Sequence, residues 1–138
     1  MSATRARMSL TALVVFAVAS AGCGTGRDER SIGAVTDRFY EALRAHAGTR
    51  ACNQLSKGAS DALESASGQA CEQAITDLTL PGVGAARSAV YEDSGRVEVA
   101  GASRGETVFL DRTSRGWRIS AAGCRPQGDG PYDCELEG

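Results

Sequence analysis

The chain has 138 residues, 42% of them hydrophobic and 23% charged, with a formal net charge of −2. That length suits one domain, and the near-neutral balance excludes a nucleic-acid binder, which needs a basic face to neutralise phosphates. No run of about 18 apolar residues occurs, so the sequence offers no stable transmembrane helix.

The chain starts with two basic residues, Arg5 and Arg7, and no acidic residue precedes Asp28. Leu10 to Ala19 is an apolar stretch too short to span a bilayer, and the small residues Ala19, Ser20, Ala21 and Gly22 follow it. Positive, apolar and small segments in that order predict a secretory signal. The two arginines are not adjacent, which favours general secretion over the twin-arginine route. The run Ala19-Ser20-Ala21-Gly22-Cys23-Gly24 resembles the bacterial lipobox, with Ser20 three places before the cysteine. The resemblance implies diacylglyceryl transfer to the Cys23 thiol and cleavage before it, removing residues 1–22. The alternative is an ordinary signal peptide that leaves one unpaired thiol beside four other cysteines, a liability in an oxidising compartment. Each buried acyl methylene contributes about 0.8 kcal/mol, so two or three chains hold a protein durably at a membrane. Residues 23–30, beyond the lipidated cysteine rich in glycine and charge, read as a flexible tether that reaches at most about 25 Å.

Residues 31–138 are predicted to form a single α+β domain. Ser31 is placed to cap a helix running to about Ala47, with Ile32, Val35, Phe39, Leu43 and His46 as its apolar stripe and Gly48 beyond its end. Residues 51–80 lean towards helix but are interrupted by Gly58 and Gly68, with a further short helix around Cys71, Ala74, Ile75 and Leu78. Pro81-Gly82-Val83-Gly84 stops helical structure. The period then changes to two. Strands are expected over 86–92, 96–102, 106–112 and 117–122, with turns at Ser94-Gly95, Arg104-Gly105 and 114–116. Helices followed by such a meander predict a long N-terminal helix and short helices packed on a curved, four-stranded antiparallel sheet.

This domain is short of core. After removal of residues 1–22, 116 residues hold 18 Leu, Ile, Val and Phe, and 13 basic against 17 acidic side chains. So little apolar surface calls for covalent staples. Cys52, Cys71, Cys124 and Cys134 supply them. Four cysteines allow three pairings; Cys52–Cys71 and Cys124–Cys134 are favoured because each closes a local loop. Their spacings fit no zinc pattern, there is no C-x-x-C, and His46 is the sole histidine; no metal or cofactor is expected.

Several motifs invite a chemical reading. Gly101-Ala102-Ser103-Arg104-Gly105 matches the G-x-S-x-G elbow, but it lies between two strands and His46 precedes it, so Ser103 reads as a hairpin residue. His46 near a helix end is more simply a dipole-favoured side chain than a general base. Tyr40 from the helix and Asp111 from a strand could flank a proton abstraction; the plainer reading makes Tyr40 a core-edge residue and Asp111 solvent-facing. Gly82-Val83-Gly84 lacks the third glycine and preceding strand of a dinucleotide loop. No catalytic set emerges.

The lipobox, the striped first helix, the short helices, the Trp117-bearing meander and the tail with Cys124, Pro126, Tyr132 and Cys134 are together similar to small actinobacterial secreted lipoproteins. That resemblance implies a cystatin-like fold of the nuclear-transport-factor-2 type, a curved sheet wrapping the long helix into a cone, and carries no catalytic residue. The expectation is a lipid-anchored protein on the extracytoplasmic face of the cell membrane, a non-catalytic binding or accessory module whose partner is an envelope protein or small ligand. The alternative is a small-molecule-binding or isomerase-like protein using the cone interior.

Overall fold

The apolar stripe of the first helix organises the molecule. The computed structural model describes residues 24–138; the predicted signal peptide and Cys23 lie outside the described residues. Helix α1 spans Thr25–Arg44 and buries Ile32, Val35, Thr36, Phe39, Tyr40 and Ala42. It starts earlier than the sequence suggests. Residues 25–30, read from composition as a tether, are its first turns, and Ser31 lies inside it, its Oγ donating to the Arg27 carbonyl at 3.0 Å. No side chain caps α1; Asp28 in the first turn instead suits the positive end of the helix dipole and bonds to the sheet. The helix also stops sooner than expected. His46 takes a left-handed backbone (φ 50°) and is exposed, so it is not part of the stripe.

Three short helices follow: α2 (Gly48–Cys52), α3 (Lys57–Ser67) and α4 (Cys71–Asp77). Ser56 caps α3, its Oγ accepting from the Ala59 N–H at 3.1 Å, and Gly68 closes it. The Cys52–Cys71 bridge joins the end of α2 to the start of α4. A bridge closing a loop of that size contributes about 3 kcal/mol, enough to matter for helices too short to persist alone.

The sheet is a five-stranded antiparallel meander, one strand more than expected: β1 (Gly84–Tyr91), β2 (Ser94–Ala100), β3 (Glu106–Thr113), β4 (Gly116–Cys124) and β5 (Leu136–Glu137), in that order. The extra strand is two residues of the tail, held near β4 by the Cys124–Cys134 bridge. Farther up, β4 is paired by residues 54–56, with the Ser56 N–H donating to the Ile119 carbonyl at 2.7 Å and the Ile119 N–H to the Gln54 carbonyl at 2.9 Å. The first hairpin turns at Glu92-Asp93, not at Ser94-Gly95. Gly95 sits within β2 under α1, where a Cβ would lie 3.0 Å from Ile32 Cδ1. Helix and sheet meet through Ile32, Val35 and Phe39 on one side and Val97, Val108, Leu110 and Ile119 on the other. Each such side chain contributes about 1.5–3 kcal/mol when fully buried.

Candidate functional site

Two polar clusters stand at opposite ends of the sandwich. The near end holds the start of α1, the β1–β2 turn and the β3–β4 turn. Asp28 reaches the sheet there: Arg112 Nη2 donates to its Oδ2 at 2.6 Å and Trp117 Nε1 to its Oδ1 at 3.4 Å. Arg112 also lies 4.4 Å over the Trp117 ring, and its Nε is 3.2 Å from Asp93 in the first hairpin. The Arg112 hydrogen bond, aided by that from Trp117, holds the Asp28 carboxyl below its ordinary range against a smaller desolvation effect. The first turn of α1 and two hairpins are thus joined through one guanidinium.

The far end holds the end of α1, the 101–105 loop and the start of β3. Tyr40, fully buried, donates its phenolic hydrogen to Glu106 Oε1. Burial foremost, then the bond and charge of Glu106, push the Tyr40 hydroxyl far above its usual value, so it stays protonated. The second carboxylate oxygen, Glu106 Oε2, is buried with no hydrogen-bond partner. Gly82 makes this packing possible, since a Cβ there would lie 2.8 Å from the Tyr40 ring and 2.3 Å from Val99 Cγ1. Glu106 also walls a cleft of about 200 Å³ with Pro81, Ser103, Arg104 and Arg125. Small-molecule sites usually begin near about 300 Å³. The cleft suits an ion or a molecule of a few atoms.

Other residues singled out from sequence fall elsewhere. Tyr40 does meet an acid from the sheet, but the acid is Glu106; Asp111 is exposed, 3.5 Å from Ser94 Oγ and opposite Arg118. Ser103 is exposed in a loop joining two strands, so the strained strand-to-helix turn of a nucleophile elbow is missing there. Cys52, Cys71, Cys124 and Cys134 form the two favoured bridges, and Cys23 lies outside the described residues. The space between α1 and the sheet, where a cone pocket would open, is occupied by core side chains. A larger polar groove of about 680 Å³ runs between α2–α4 and the β3–β4 turn, with Lys57, Asp61, Glu64, Glu72 and Arg115 on its walls. Among the described residues no cluster of three or more His, Cys, Asp or Glu is placed to hold a metal, and no helix is long and apolar enough to cross a membrane. Comparisons with protein-family models, curated proteins and solved structures find no match to this chain.

Proposed function

We propose that this is a lipid-anchored extracytoplasmic envelope protein, acting as a non-catalytic binding or accessory module like the small actinobacterial lipoproteins it resembles. The observation that carries the reading is the cysteine arrangement: two bridges use the other four cysteines, and Cys23 falls within the lipobox-like run just ahead of α1. Structural disulfides fit an oxidising compartment. For the fold we propose the cystatin-like cone, in which the meander curves around α1. Mass spectrometry of native protein from membranes tests the anchor. An acylated Cys23 as the first residue, with all four remaining cysteines oxidised, is expected, and Cys23→Ala should leave the membrane fraction. An intact amino terminus on a reduced protein inside the cell would overturn the proposal.

A second reading, a ligand-binding protein, draws on one observation: the unpartnered Glu106 oxygen in a residue that walls a cleft. Its test is calorimetric titration with small cations and amines. Binding lost on Glu106→Gln supports it, and no heat at millimolar concentration counts against it.

A further inference from the structure

We infer that the near end of the domain is a membrane-facing surface, so that the anchor fixes the orientation of the whole domain on the bilayer. The inference rests on the reading of Cys23 as the lipidated residue and deepens it.

The first observation is the length of chain between anchor and fold. Helix α1 begins at Thr25, and Gly24 is the sole residue between it and Cys23. Two residue steps span at most about 7 Å. A seven-residue tether would let the domain tumble above the lipid; this connection does not. The second observation is that the start of α1 is not free to swing. Asp28, three residues into the helix, is held by Arg112 and Trp117, and Arg112 in turn holds Asp93. Whatever fixes Cys23 at the bilayer surface therefore brings both hairpin turns close to the headgroups.

Side chains at this end suit such a surface. Arg27, Arg30 and Arg115 are exposed there, as is Tyr91, at 63% the most exposed large hydrophobic residue described. One guanidinium, Arg112, serves both Asp28 and Asp93, and Glu29, Glu92 and the exposed Asp111 lie at this end as well. The near end thus carries no excess of positive charge, and its fit to a bilayer rests on the short connection to Cys23 and on the exposed arginines and Tyr91. Arginine can place its charge among the headgroups while its stem lies against apolar surface, and tyrosine favours the headgroup level. The occupant is the headgroup layer of the membrane that holds the acyl chains. The far end, with Arg104 and Glu106, then points away from it, displaced by about 25 Å along β3.

Trp117 is the single tryptophan and lies at the near end, which provides an intrinsic probe. The lipidated full-length protein is reconstituted in phosphatidylglycerol–phosphatidylethanolamine vesicles carrying a nitroxide on the lipid headgroup. Trp117 should be quenched several-fold more than the indole introduced by Arg104→Trp in a Trp117→Phe background. Because Trp117 is packed in the core, a second variant leaves it in place. A Gly-Ser linker of ten residues inserted between Gly24 and Thr25 should reduce its quenching while flotation with the vesicles is unchanged. Equal quenching at both ends, or no effect of the linker on a protein that floats, overturns the orientation and leaves the anchor standing. A protein that does not float overturns the anchor reading, and the orientation with it.

Discussion

The two ends of this molecule solve one problem, joining helix to sheet with polar groups, by opposite means. At the near end Asp28, Arg112, Trp117 and Asp93 form a partly solvated network in which each charge has a partner. At the far end Tyr40 and Glu106 are enclosed, one bond is made, and one carboxylate oxygen is left without a partner. Water screens the first arrangement and makes it cheap to form and cheap to lose. The second has no solvent to fall back on, so removing either partner exposes the full desolvation cost of the other. The near end can tolerate change; the far end is conditional on both residues.

The largest expected effect is at the far end. Tyr40→Phe leaves Glu106 with neither oxygen bonded and should cost about 2 kcal/mol in urea unfolding, while Tyr40→Phe combined with Glu106→Leu should recover most of it. Additive losses in the double variant would break the contrast. Next comes alkaline pH. The folded state keeps Tyr40 protonated while the unfolded chain releases that proton near its ordinary value of 10. Stability should therefore be intact below about pH 10 and fall above it by about 1.4 kcal/mol per pH unit. Tyr40→Phe should remove that part of the slope. Glu106→Gln should matter less, within about 1 kcal/mol, because the amide keeps an acceptor for Tyr40. The smallest effect belongs to the near end. Asp28→Asn should speed amide exchange in residues 25–31 at neutral pH, the difference from the native chain shrinking as pH falls, while the global unfolding midpoint scarcely moves. The sign follows from the lowered Asp28 carboxyl, whose contribution is present above its ordinary value and lost as pH falls.

How far the sequence revealed this contrast depends on the kind of pattern involved. Ile32, Val35 and Phe39 announce the buried face of α1 through their spacing, and the meander follows from alternation in Val97–Val99 and Trp117–Ile119. The bridges follow from local loop closure. The far-end acid was also legible, by parity: Glu106, Val108 and Leu110 share the inward face of β3, and Asp111 must point the other way. The same parity puts Gly95 beneath α1 with Val97 and Val99. The start of α1 was not legible, because Gly-Thr-Gly-Arg-Asp-Glu-Arg has the composition of a linker and is ordered by partners more than 80 positions away. Neither was β5, two residues with no period of their own, nor the pairing of residues 54–56 with β4.

That last pairing has a consequence for life in a crowd. A meander presents two rows of backbone groups to its surroundings, and here the chain itself closes one, with residues 54–56 and β5 lying along β4. The other, β1, is interrupted by an irregularity between Ala85 and Arg87, and the Ala85 N–H is taken by Asp37 at 2.7 Å. Copies packed shoulder to shoulder therefore find the β4 side closed by the chain itself and the β1 side blunted at its start, so any main-chain pairing with a neighbour falls to the rest of β1.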